Sequence, residues 1–167
     1  MKKLMILSLL IITACSKKDD GPSEPNTLRD IYQGTFWIDS DQETLMTFTP
    51  DALIHISATD NTICFNVPEG TFNDTDFFGC TFASIVNVVE VEDEDTLSWR
   101  QLVSAASGDG CPPQSQEATL TIEILNDNAL EFTYFAQGAV QDNIVFTKTT
   151  SASFELNNCD TFYFLGF

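Results

Sequence analysis

Basic residues are scarce in this chain. Seven lysines and arginines stand against 25 aspartates and glutamates in 167 residues, giving a formal net charge of −18. From Asp30 onward the basic side chains are Arg100 and Lys148, with His55 the one histidine. Binding to a phosphate backbone needs clustered Lys and Arg, so nucleic acid is excluded as a partner. The same surface would be repelled by an anionic bilayer and would favour cations or basic partners. Catalytic signatures are missing as well: no Gly-x-Ser-x-Gly, no His-Glu-x-x-His and no phosphate loop. His55 sits mid-strand on the face opposite Ile54 and Ile56. A general base needs a nucleophile or an orienting partner, so a lone histidine in that setting reads as a partly exposed structural residue. The sequence therefore predicts no enzyme and no cofactor. No long segment carries apolar residues at helical spacing either, which argues against a helical domain.

The one marked apolar run is short. After Lys2 and Lys3, residues 4–12 are apolar except for Ser8. Nine helical residues span about 14 Å, whereas a bilayer core is roughly 30 Å thick. The run is too short for a standing transmembrane helix and fits the apolar core of a secretory signal. It ends at Ile12-Thr13-Ala14-Cys15, which resembles the bacterial lipoprotein box. That resemblance implies a signal peptide over 1–14 and an acylated Cys15 as the new N-terminus. Cleavage there removes Lys2 and Lys3 and takes the formal charge from −18 to −20. Two or more acyl chains hold a protein stably on a bilayer, where one holds it marginally. The next residues, Ser16-Lys17-Lys18-Asp19-Asp20, resemble the lipoprotein export signal of the Bacteroidota, which implies the outer face of the outer membrane. The alternative is the periplasmic leaflet. Residues 15–29 are polar with Gly21, Pro22 and Pro25 and read as the lipidated cysteine and a flexible tether, with a reach on the order of 20 Å. Residues 30–167 form the folded domain.

From Tyr32 the pattern alternates with period two. Leu120, Ile122 and Ile124 oppose Thr119, Thr121 and Glu123; Leu97 and Trp99 oppose Thr96, Ser98 and Arg100. One apolar and one polar face describe antiparallel strands with a wet side. Strands are expected over 31–38, 43–49, 52–58, 63–67, 83–91, 96–103, 118–125, 129–135, 143–149 and 161–167. Tight turns join most of them, so the fold class is all-β, an antiparallel meander that must close into a barrel or fold into a β-sandwich to protect its edges. Gly34-Thr35-Phe36-Trp37 looks like the Gly-x-Trp opening of lipocalin-type barrels, with the tryptophan one place late. The hairpin at 45–57 and the stretch from 119 to 149 look like strands of small lipocalin-like lipoproteins. The resemblance implies a lipocalin-like β-barrel with Lys148 as the basic residue over the tryptophan. Its implied function is non-enzymatic binding of a small apolar or amphipathic ligand. The alternative is an interaction module, either an accessory subunit of a surface complex or an enzyme inhibitor. Its partners would be the bilayer, through Cys15, and that ligand or a surface protein.

Apart from Cys15, the cysteines are Cys64, Cys80, Cys111 and Cys159. An even number in an exported chain favours two disulfides. Their gaps of 16, 31 and 48 residues are too wide for paired zinc ligands two to four residues apart. Cys64–Cys80 is expected as a local staple, and Cys111–Cys159 as a bridge between two segments extra to the barrel pattern. Phe72, Phe77, Phe78 and Phe82 crowd one short stretch, where they either line an apolar lip around a ligand or pack inward as core. Asp74, Asp76, Glu92, Asp93 and Asp95 lie in acidic loops. They are weak calcium candidates, since neither loop completes the pattern of oxygens that ion requires. Asp95-Thr96-Leu97 resembles the O-glycosylation site of exported Bacteroidota proteins.

Overall fold

A computed structural model describes residues 26–59, 64–77, 79–111, 114–150 and 159–161, without the side chain of Phe77. The signal segment, Cys15 and Phe78 lie outside the described residues, as does the last expected strand beyond Thr161. The described residues open with a one-turn helix, α1 (Leu28–Tyr32), capped by Thr27, whose hydroxyl accepts from the Asp30 amide while the Asp30 carboxylate accepts from the Thr27 amide. This reciprocal cap satisfies donors that a helix start otherwise leaves orphaned. A strand was expected at 31–38; the helix takes its first residues, because Thr27-Leu28-Arg29-Asp30 carries the cap signal and Gly34 at φ 71° breaks the run. Leu28 is fully buried, so the folded body reaches back into the segment read as tether.

Among the described residues twelve strands follow: β1 (Phe36–Asp39), β2 (Thr44–Thr49), β3 (Ala52–Ala58), β4 (Cys64–Val67), β5 (Gly70–Phe77), β6 (Cys80–Glu92), β7 (Thr96–Val103), β8 (Ala106–Ser107), β9 (Gln116–Asn126), β10 (Ala129–Ala136), β11 (Ala139–Thr149) and β12 (Asp160–Thr161). All-β is the class expected. The sequence missed β5, where Asn73, Asp74 and Asp76 dilute the strand-forming residues; the β6 partner supplies the pairing instead. The strands make one sheet in the order β12-β4-β3-β2-β1-β11-β10-β9-β7-β6-β5, with β8 beside β6. β1 pairs with β11, and Trp37 lies directly across from Lys148.

The closed barrel expected from the sequence is not formed. Among the described residues β4 and β5 do not pair, and the sheet is open between them. The reason is that β12 runs parallel to β4 and occupies the edge that β5 would need, with Asp160 opposite Phe65. The linker between β4 and β5 contains Pro68, which has no N–H to offer a ladder. The linker is held to β6 just before β5 begins: Asn87 Nδ2 donates to the Pro68 carbonyl at 2.9 Å.

The apolar faces meet in one core. Trp37, Met46, Phe48, Leu53, Ile54, Leu97, Trp99, Leu120, Ile122 and Leu130 are all fully buried within it, with Leu28 of α1. Trp99 and Phe132 pack with ring centroids 6.5 Å apart, and Tyr32 meets Trp37 edge-on at 5.6 Å. The interior is thus filled from strands on both sides of the molecule.

Candidate functional site

The meander gives the molecule two unlike ends. One carries α1 together with the β2–β3, β4–β5, β6–β7 and β9–β10 turns. There the Leu28 amide donates to the Asp93 carbonyl at 2.6 Å. Arg29 Nε and Nη2 donate to the two Glu92 oxygens at 2.8 and 2.6 Å, and Nη2 lies 3.6 Å from Glu69. A bulge in β6 between Val89 and Val91 shifts the register, so that Glu92 faces Leu97 across the ladder. The Arg29 hydrogen bonds hold the Glu92 carboxyl below its usual range, and Glu92 raises Arg29 in turn. This end is sealed.

The other end gathers the remaining strand ends and both disulfides. Two disulfides were expected, and two are present, but the pairing differs. Cys64 joins Cys159 and Cys80 joins Cys111. Cys64 and Cys80 begin strands on opposite sides of the β4–β5 opening, so the local staple was not available. Cys159 instead enters beside β4 with β12, while Gly108 lets the Cys111 segment lie against the β6 start. A Cβ built on Gly108 would sit 2.8 Å from Cys111 Sγ and 3.0 Å from the Gly79 carbonyl.

The predicted site residues do not converge on a metal. Among the described residues no group of three or more His, Cys, Asp or Glu is placed to hold one. Glu92 is committed to Arg29. Asp93 Oδ1 accepts from the Asp95 and Thr96 amides at 3.0 and 2.8 Å, which builds the turn before β7. Asp76 accepts from the Thr81 hydroxyl at 2.6 Å, and Asp74 sits at φ 49° within β5. Thr96 of the Asp-Thr-Leu triplet is half-buried at the start of β7.

The phenylalanine cluster is core where it is described. Phe82 is 2 % exposed and packs with Ile85 and Val103, with Phe72 against them. These two rings do not stand out as an apolar lip. Phe78 and the Phe77 side chain fall outside the described residues.

His55 is buried rather than partly exposed, at 2 %. Its Nε2 shares a 2.7 Å hydrogen bond with the Thr49 hydroxyl, and Asp51 Oδ1 lies 4.0 Å away. Nδ1 is buried with no hydrogen-bond partner among the described residues. Burial pushes the imidazole pKa down, partly opposed by Asp51. Both faces of β3 are buried, which its alternating sequence did not disclose, because an alternating strand is compatible with cover on either side.

At the disulfide end a groove of about 740 Å³ runs where β9 starts and β10 turns into β11. Gln116, Thr119, Tyr134, Phe135, Gln137 and Gln141 are among its lining residues. Among the described residues Glu117 is the one charged residue of the lining, and it faces Arg100 Nη1 at 3.9 Å. A smaller depression of about 480 Å³ lies at the same end near Glu43, Thr59 and Phe65. Sequence reasoning missed the larger groove: its glutamines are scattered, and only the β9–β10–β11 pairing brings them together. No family model, curated protein or solved structure matches this chain.

Proposed function

We propose that this chain is a lipid-anchored, exported binding protein of the Bacteroidota surface type, without enzymatic activity, that binds with the end of its domain farthest from the membrane. Its fold on this reading is a lipocalin-like wall left open between β4 and β5. The pairing of β1 with β11, the short helix at one end and the Trp37–Lys148 juxtaposition support that likeness.

The observation that carries the function is the polarity of the domain. The chain enters at α1, on the sealed end, so an anchor at Cys15 would set that end toward the bilayer. The disulfides and the larger groove then face outward. Disulfides that pin exposed connections pre-organise a binding surface and reduce the entropy lost on binding. The packed core around Trp37, Phe48 and Trp99 argues against an apolar ligand held in a lumen and for recognition at the rim.

The test has two arms. Metabolic lipid labelling should mark the wild type and not Cys15→Ala, which should leave the membrane fraction. Protease added to whole cells should remove the domain if it is displayed outside. A Cys15→Ala protein that stays membrane-bound and labelled sinks the anchor, and a domain protected in whole cells but cut after outer-membrane permeabilisation sinks surface display.

A further inference from the structure

We infer that the groove between the ends of β9, β10 and β11 binds a neutral saccharide; this inference rests on the reading of that end as the binding surface and names its ligand class. Three observations lead there. The first is charge. In a chain of net charge −18, the described residues of this groove's lining include one carboxylate, and Arg100 lies across from it. Among the described residues an anionic ligand meets no cationic clamp, and an amine meets no unpaired carboxylate.

The second is the set of hydrogen-bonding groups. Gln116 Oε1 is buried with no hydrogen-bond partner among the described residues. A buried acceptor without a donor is costly, and rotation of this half-buried side chain into the groove it lines would let a ligand hydroxyl relieve it. Gln141 Nε2 already donates to the Ala136 and Ala139 carbonyls at 2.8 and 3.3 Å. That fixes the amide plane and turns its Oε1 into the atom left for a ligand donor. The groove therefore asks for an uncharged molecule rich in hydroxyl donors.

The third is how the side chains reach the groove. Gln137 stands at φ 54° in the two-residue turn before Gly138, a position that Asn, Asp or Gly occupies at lower cost. Gln141 is the extra residue of a bulge between Tyr134 and Phe135 on the facing strand. Both irregularities put a glutamine on the groove. Beside them Phe135 is 41 % exposed, with Val140 opposite it at 58 %. A rigid aromatic face offers the C–H side of a sugar ring an apolar surface at low conformational cost. The volume lies in the range of small-ligand sites.

The experiment titrates the full-length protein in detergent with neutral gluco-, manno-, galacto- and xylo-oligosaccharides, read by saturation-transfer NMR and calorimetry. Acidic uronate oligomers, a polyamine and serine- and glutamine-rich peptides serve as comparisons. At least one neutral saccharide should bind. Phe135→Ala and Gln116→Leu should each weaken it about ten-fold, equivalent to about 1.4 kcal/mol, with an unchanged circular dichroism spectrum. Gln141→Met should also weaken it, because it keeps the side-chain length and removes the acceptor. Saccharide binding untouched by all three variants would place the site elsewhere and overturn the inference. So would silence toward every neutral saccharide, or preference for the peptides, the polyamine or the uronates. Binding of one of these comparison ligands that the groove variants abolish would leave the outward binding surface standing while removing the saccharide.

Discussion

Arg29 and Glu92 meet across 63 positions of sequence in a two-pronged ion pair, both nitrogen–oxygen distances under 3 Å and both side chains about six-sevenths buried. One partner lies on α1 and the other at the β6 bulge, so the pair ties the entering chain to the sheet. Glu69, from the linker beside the β4–β5 opening, adds a longer contact to the same guanidinium. With Arg29 Nη1 also donating to the Ala52 carbonyl at 3.5 Å, a single arginine joins the helix to the start of β3 and the end of β6.

Breaking the pair should destabilise the domain. Arg29→Ala strands a largely buried carboxylate, and the expected cost is about 2–3 kcal/mol, measured as a lower urea midpoint. Glu92→Gln should cost less, because the amide keeps one acceptor. The pH dependence follows from the depressed Glu92 pKa. A carboxyl whose folded pKa is lowered contributes stability above its unfolded value, and that contribution disappears as pH falls through the folded pKa. The acid limb of the stability curve should be shallower in Glu92→Gln.

His55 should give a second slope at higher pH. Its folded pKa is pushed below the ordinary 6.5 by burial. Between the two values the unfolded chain binds more protons than the folded one, so stability rises with pH there. Lowering the pH from about 7.5 to about 5.5 should lower the urea midpoint as the unfolded histidine protonates. His55→Gln should remove most of that slope while keeping a side chain able to bond the Thr49 hydroxyl. An unchanged slope in the variant would assign the effect to other groups.

Gly108 should be irreplaceable at the second disulfide. Its φ of 129° suits glycine, and an added Cβ would meet Cys111 Sγ and the Gly79 carbonyl closer than van der Waals contact, with little room to yield. Gly108→Ala should leave a fraction of Cys80 and Cys111 as free thiols in protein recovered from an oxidising compartment. In the chain-entropy model closing a 31-residue separation is worth about 3.7 kcal/mol, so the reduced fraction should unfold earlier. Non-reducing peptide mapping of the wild type should show Cys64 with Cys159 and Cys80 with Cys111.

The packed interior makes its own prediction. Trp99 is fully buried against Leu120 and Phe132 positions of the core, and Val140 is 58 % exposed. Trp99→Ala should cost about 3–5 kcal/mol through the cavity it leaves. Val140→Ala should stay within about 0.5 kcal/mol. Equal effects in thermal melts would mean that the interior is not the filled core described above.

What the sequence determined by itself is local or periodic. Alternation of Leu120, Ile122 and Ile124 with threonines made strands, and the faces so assigned meet in the core because period-two patterning acts through neighbouring residues. Four cysteines in an even count made two disulfides. Tertiary structure alone decided the rest. The partner of each cysteine depended on which strand ends share a corner, and the tail's β12 took the free edge of β4. That one insertion left the sheet open and redirected Cys159 from Cys111 to Cys64. Burial of His55 likewise depends on what covers the second face of β3, which no pattern along β3 records. The groove is the clearest case. Gln116, Gln137 and Gln141 come from β9, a turn and a bulge, and they share a site because of strand register, a property of pairs of segments that no single segment carries.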